Sequence, residues 1–396
     1  MANASTAGTT APLLFQPFTI RGVTLPNRLV LAPMVHYRAK DGMCGTFHIA
    51  HLGKFALGGF GLVFTEATAV EERGLITEMD LGLYNDAQVE SYRPLIALMK
   101  EEGAVPAVQL AHGGRKSSMQ SAMEGNGPLS DADVARGRKR WQPVGPTTAP
   151  VTPEWPTPHQ LSIAEIKNLV DAFAAAAGRA IRAGFEVIEV HAAHGYLLTT
   201  FLSPVSNTRT DRYGGDIFGR MRFPLEVVEA VRAAIPEATP LFVRVSAVDG
   251  TAEGWKLDDT IVFARALKAR GVDIVDCSSG GLTGSATAGP VSRAPGFQVP
   301  YAARVRSEVN IPTMAVGLII EASQAEAILQ QGQADLIAIA RQAQFNPNLP
   351  LHWAHELGLN TRFEMWGEEY GWWLNKRART MDGFATPTGQ IIRRPG

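Results

Sequence analysis

The chain has 396 residues, is 45% hydrophobic, and carries a formal net charge of −1 from 37 basic and 38 acidic side chains. This is enough apolar material for one large α/β core or two ordinary ones. The interspersed charge gives no electrostatic footprint for nucleic acid or an anionic membrane, which makes a small-molecule ligand the default.

In chain order, residues 1–12 lack the basic and apolar regions of a secretory signal and read as a flexible tail. Short apolar runs follow at Leu29–Leu31, 61–65, 106–110, 187–190, 240–245, 273–277, 312–316 and 335–340. Between them, helical periodicity marks 88–102, 162–183, 220–234, 258–270, 302–309 and 322–332. Eight strands alternating with helices over this length predict a single (β/α)8 TIM barrel. Ser162-Ile-Ala-Glu165 has the form of a capping box, Asp258 and Asp259 put negative charge at a helix start, and Gly103, Gly184, Gly271 and Gly332 stand where helices should stop. The stretch 120–158, rich in Gly, Pro, Arg and Asp, predicts a long excursion after strand three that covers a site. Residues 361–396 form a C-terminal extension, and Trp366, Trp372 and Trp373 within it suggest packing onto another surface. Charged residues, Gly or Pro interrupt every candidate membrane span. Two cysteines, Cys44 and Cys277, make neither a disulfide framework nor a metal cluster, and a cytoplasmic location is expected.

Chemistry concentrates at predicted strand ends, the active edge of parallel α/β folds. His191-Ala-Ala-His194-Gly-Tyr196 places two imidazoles and a phenol directly after the fourth apolar run. Their i, i+3 spacing suits neither the i, i+2 ligands of a strand nor the i, i+4 zinc pair of a helix, so no metal is assigned. Three readings stay open: a metal pair, hydrogen-bonded core histidines, or a pair that binds a ligand oxygen with Tyr196 as proton source. Arg244, inside an apolar strand, must meet a carboxylate or an anionic ligand. Gln109 either pairs with a heterocycle edge or caps a polar layer, and Gly317 and Arg341 after strands seven and eight suit a phosphate. Arg115 and Lys116 lean toward a phosphate, with solvated loop charges as the commoner explanation. Together these groups fit a phosphorylated aromatic cofactor.

Several extended motifs in order resemble the Old Yellow Enzyme family of FMN-dependent ene-reductases: Leu14-Phe-Gln-Pro-Phe, Leu25-Pro-Asn-Arg-Leu-Val-Leu-Ala-Pro-Met34, His191-Ala-Ala-His-Gly-Tyr-Leu, and the run from Phe201 to Gly215. Within the family, the segment from Gln109 to Lys116 and Pro295-Gly-Phe-Gln-Val299 resemble the bacterial branch that includes the xenobiotic reductases. The resemblance implies a catalytic barrel over 13–360, tightly but non-covalently bound FMN, and NADPH or NADH as hydride donor. It implies that Ala32, Pro33, Met34, Val35 and Ala67 line the isoalloxazine, that Gln109, His191 and Arg244 also contact the flavin, and that Val316, Gly317, Ala340 and Arg341 bind its phosphate. His191 and His194 would hold the carbonyl oxygen of an activated alkene. Hydride would pass from flavin N5 to Cβ, and Tyr196 would protonate Cα. Tyr37 would line the substrate pocket. Trp373 matches the aromatic of a C-terminal segment that reaches a neighbouring subunit, implying a homodimer or higher homo-oligomer.

Val35 departs from this pattern, because the branch usually has cysteine there and related enzymes threonine. An isopropyl group cannot hydrogen-bond, so the wall it forms is more apolar. Alternatives to the alkene reductase are a flavin-dependent dehydrogenase or desaturase of a cyclic substrate, a metal-dependent barrel hydrolase using His191 and His194, and a flavin-binding protein without catalysis.

Overall fold

A computed structural model describes residues 11–283, 293–385 and 391. The eight barrel strands are β1 (Leu29–Leu31), β2 (Leu62–Ala69), β3 (Val105–Ala111), β4 (Val187–Ala192), β5 (Leu241–Ser246), β6 (Ile274–Ser278), β7 (Thr313–Ala315) and β8 (Leu336–Ile339). Each pairs in parallel with its sequence neighbours, and β8 with β1 closes the ring. The (β/α)8 barrel expected from the alternating runs is the observed fold.

The helices after successive strands are α1 (Thr46–Leu57), α2 (Asp86–Glu101), α3 (Ile163–Ala183), α4 (Ile217–Ala234), α5 (Leu257–Lys268), α6 (Val299–Val309), α7 (Ala322–Gln330) and α8 (Leu349–Glu356). The start of α3 is set by reciprocal bonds, with Ser162 Oγ accepting from the Glu165 amide at 3.2 Å and the Glu165 carboxylate accepting from the Ser162 amide at 2.8 Å. Its end falls at Gly184, whose φ of 107° needs a residue without a Cβ. Helix α1 escaped the periodicity reading because Gly53 and two histidines interrupt its apolar face. Gly53 is there for close packing, since a Cβ at this position would come 2.5 Å from Leu98 Cδ2 on α2.

Period-two alternation assigns one face of every strand to the barrel interior. Val30, Phe64, Ala107, Val187, Phe242, Ile274, Met314, Leu336 and Ala338 fill the interior, and Ile20 and Leu25 of an N-terminal hairpin pack into the same cluster. Ile188 and Val190 on the opposite face of β4 join the shell between barrel and helices. One step further along the interior faces, the residues become polar: Gln109, Glu189, Arg244 and Asp276, with Glu189 and Asp276 fully buried. The next step brings His191, Ser246 and Ser278 to the C-terminal rim. Backbone register aligns them, because Gln109 pairs with Glu189, and Arg244 with both His191 and Asp276.

The excursion between β3 and α3 carries one-turn helices at Gly114–Lys116 and Ala122–Glu124, a short helix at Asp131–Ala135, and a two-residue pairing of Val144–Gly145 with His159–Gln160. Residues 1–10 of the expected tail lie outside the described residues. The extension after α8 forms a helix, Glu368–Met381, which was not read from the sequence. Among the described residues, no helix is long and apolar enough to cross a membrane.

Candidate active site

A cavity of about 810 Å3 opens at the C-terminal ends of the strands. Pro33, Met34 and Val35 after β1 and Ala67 on β2 form one wall, and Gln109 and Arg244 reach it from β3 and β5. Val316, Gly317, Ala340 and Arg341 line it after β7 and β8, and Tyr37, His191, His194 and Tyr196 complete it. Two expected residues do not line this cavity. Ala32 is 1% exposed and packs in the barrel interior, while Trp373, on the Glu368–Met381 helix, is 63% exposed. Ala122 and Met123 bring the excursion after β3 to the cavity, as its length suggested.

His191 stands one residue before the end of β4, with its side chain turned inward, and His194 follows in a left-handed turn with φ 64°. His191 Nε2 and His194 Nδ1 stand 3.4 Å apart, and His194 Nε2 is 2.7 Å from Ser278 Oγ. When the Ser278 hydroxyl donates to Nε2, the ring proton of His194 resides on Nδ1, beside His191. Burial, then the nearby Arg244 charge, holds both imidazoles well below the ordinary histidine range. They are therefore neutral, and they offer N–H donors without the cost of burying further charge. Tyr196 packs edge-on to His191 at 5.3 Å between ring centroids. Burial, with Tyr37 and Asp80 nearby, keeps its phenol protonated far above neutral pH.

The polar layer beneath them contains one cation and two acids. Arg244 Nε lies 3.2 Å from Asp276 Oδ2, which supplies the carboxylate its burial required. Gln109 Nε2 donates to Glu189 Oε1 at 2.8 Å, so both roles considered for Gln109 remain compatible with its place: it caps the layer and also lines the cavity. One guanidinium cannot neutralise two buried carboxylates, and desolvation first, then Asp276, raises the Glu189 carboxyl until it stays protonated at neutral pH. Glu189, Asp276 and Ser278 were missed by the sequence reading. Their signal was available in the alternation of β4 and β6, where each follows an apolar inward residue by two or four positions.

Arg115 and Lys116 correct an expectation. They are not solvated loop charges but are 4% and 1% exposed, and they bond to backbone carbonyls. His36 lines the cavity beside Val35, with its amide on Glu66 Oε2 at 2.9 Å and its Nε2 2.8 Å from Gln344 Nε2. Val35 and Tyr196 both pack against the buried cluster that includes Ala67 and Ile76, making an apolar wall there.

A parallel barrel with an apolar slot, a cationic floor and neutral histidines at its rim defines a class of barrel oxidoreductases built around a flavin. The chain belongs to the NADH:flavin oxidoreductase / NADH oxidase family, whose profile matches residues 13–360. It is 42% identical over 348 residues to an NADPH dehydrogenase of Geobacillus sp. (strain WCH70), a match covering 87% of this chain and 95% of that one. It is 41% identical over 336 residues to an NADPH dehydrogenase of Bacillus subtilis (strain 168), covering 84% and 92%. Among solved structures it resembles morphinone reductase with a TM-score of 0.71 and 26% identity, covering 91% of this chain and 95% of that one. It also resembles the old yellow enzyme homologue from Zymomonas mobilis with a TM-score of 0.71 and 25% identity, covering 97% and 100%. The protein is an FMN-dependent, NAD(P)H-oxidising enzyme of the Old Yellow Enzyme type, and the metal-dependent hydrolase reading of His191 and His194 is set aside.

The residues present fit FMN. Pro33 to Val35 and Ala67 offer an apolar wall to a flat ring, while Gln109 and Arg244 offer donors at its floor. Gly317 has φ 114°, and a Cβ there would come 3.1 Å from Phe297 Cε1, so the absent side chain leaves a cradle at the end expected for the phosphate.

Two measurements test the electrostatics and the wall. Folded protein keeps a proton on Glu189 that the unfolded chain releases above its ordinary carboxyl range, so rising pH favours unfolding through this group. The melting temperature of Glu189→Gln, which mimics the neutral acid, should therefore rise relative to that of wild type between pH 5 and pH 8, while the oppositely directed contribution of other buried groups cancels in the comparison. Val35→Cys restores a polar contact beside the cofactor and should change the flavin midpoint potential or the affinity for a para-substituted phenol. Unchanged potential and unchanged binding would count against a role for this wall.

Proposed function

We propose that the enzyme reduces the C=C bond of alkenes conjugated to a carbonyl or nitro group. The observation that carries this reading is the convergence of two neutral imidazoles, 3.4 Å apart, with a protonated Tyr196 in one cavity. FMN, when bound, would supply the hydride chemistry for the alkene β-carbon, with NAD(P)H as the reductant. His191 and His194 donate to the carbonyl or nitro oxygen and withdraw electron density from the double bond. Charge that develops on that oxygen meets donors already in place, within a pocket whose floor bears the Arg244 cation. Tyr196 gives its proton to the α-carbon, and burial keeps that proton available across the neutral range. Pro33, Met34, Val35 and Ala67 bind the flavin ring, Gln109 and Arg244 its polar edge, and Val316, Gly317, Ala340 and Arg341 its phosphate. Tyr37 borders the substrate.

The C-terminal extension is assigned to an interface in a homo-oligomer. Tyr370, Trp372 and Trp373 are 59%, 53% and 63% exposed, more apolar surface than a free helix ordinarily shows to water. A chain ending at residue 360 should contain fewer protomers per particle by light scattering than the full chain, and an unchanged number of protomers would remove the assignment.

NADPH-driven reduction of cyclohex-2-enone, set against oxygen-dependent desaturation of cyclohexanone, separates the reductase from a desaturase on the same fold. Reduction should dominate. Tyr196→Phe should lower the rate of alkene reduction by about 100-fold or more while FMN content stays at the wild-type level. A rate within a few-fold of wild type would take the proton-donor role away from Tyr196.

A further inference from the structure

We infer that Lys116 is a positioning residue for His194: by bonding the carbonyls of His194 and Gly281, its ammonium fixes the turn that aims the imidazole into the cavity. The inference rests on the oxygen-binding role proposed above for His194.

Three loops meet at this point. Lys116 Nζ donates to His194 O at 2.9 Å and to Gly281 O, and it stands 5.8 Å from the centroid of the Tyr196 ring. The neighbouring Arg115 donates to Leu282 O at 2.8 Å, tying the same two segments together. Backbone contact is close enough to exclude side chains. A Cβ on Gly281 would come 2.6 Å from His194 Cα, one on Gly195 would come 2.9 Å from Lys116 Nζ, and one on Gly114 would come 2.7 Å from Leu197 Cα. Ser246 Oγ completes the clasp, accepting from the His194 amide at 2.9 Å and donating to Gly280 O at 2.8 Å.

His194 needs such a clasp because a left-handed backbone at a non-glycine residue persists only where its surroundings enforce it. The lysine also carries a cost that packing alone does not explain. It is 1% exposed, and its described partners are carbonyls rather than a carboxylate. An apolar side chain of similar length would fill the space without burying charge. What it would not do is hold two carbonyls from different loops at a common point, and that is the function the geometry assigns to the ammonium.

Burial, then the Arg115 charge, lowers the Lys116 ammonium to about 7, so the clasp loses its charge as pH rises past neutrality. The groups facing it are Arg115 on its own segment and His194 and Tyr196 across from it; Ser279 to Thr283 carry no titratable side chain. Arg115 stays charged to about 10, the histidines are neutral, and Tyr196 titrates far higher. Glu189, one layer below, also titrates above neutrality, and a Lys116→Arg variant retains it.

The test is a titration of oxidised, FMN-loaded enzyme with cyclohex-2-enone, a ligand without an ionisable group, followed by the flavin absorbance. Lys116→Met should weaken enone binding about tenfold at pH 6, the scale of a lost charge-assisted bond, with FMN content and melting temperature held near wild type. Wild-type affinity should fall about threefold or more between pH 6 and pH 9, and Lys116→Arg, charged throughout, should flatten that dependence. Equal affinity in wild type and Lys116→Met overturns the inference alone, as does a pH dependence that persists in Lys116→Arg. A wild-type enzyme that shows no enone-induced change overturns the oxygen-binding reading, and this inference falls with it.

Discussion

The buried ion pair between Arg244 and Asp276 is the constraint around which the site is arranged. A guanidinium inside a barrel must recover its lost hydration, and Asp276 on the adjacent strand does so only because parallel register sets the two residues side by side. That pairing settles the remaining charges. Glu189, on the other flank, has no second cation and stays neutral, with the Gln109 amide bonded to it. Burial first, and the same Arg244 charge second, disfavour protonation of His191 and His194, so the layer below reinforces the neutral state of the rim above.

From this follows a division of labour along the barrel axis. The lower interior is apolar and closed by the N-terminal hairpin, the middle layer holds balanced charge, and the rim presents neutral donors to a cavity. Each level is one alternation further along the same strands. The wall of Pro33 to Val35 and the loops carrying His194 and Gly281 then depend on the rigid strands beneath them. Val35 gives that wall an apolar character, its isopropyl group packing against the buried cluster that includes Ala67 and Ile76.

Much of the fold was legible in the sequence because buried parallel strands are short continuous apolar runs, and all eight were visible as such. Helix α3 announced both its ends, through Ser162, Glu165 and Gly184. Helix α1 did not, because Gly53 serves packing against Leu98 rather than local propensity. The catalytic candidates His191, His194 and Tyr196 stood out as polar groups where an apolar run stops. Glu189 and Asp276 did not stand out, since an acid within an apolar run shows no partner until the neighbouring strands are placed.

The sequence by itself determined the strand and helix alternation, the chemistry at the strand ends and the family resemblance, because these depend on local periodicity and on motifs contiguous in the chain. Tertiary structure alone decided which charges are buried and which partners satisfy them. Arg115 and Lys116 look in the sequence like solvated loop cations, yet the acceptors of Lys116 lie 78 and 165 residues away. Such bonds arise only when the barrel closes and brings the loops after β3, β4 and β6 to one place. Burial is a property of that closure, and no local pattern encodes it.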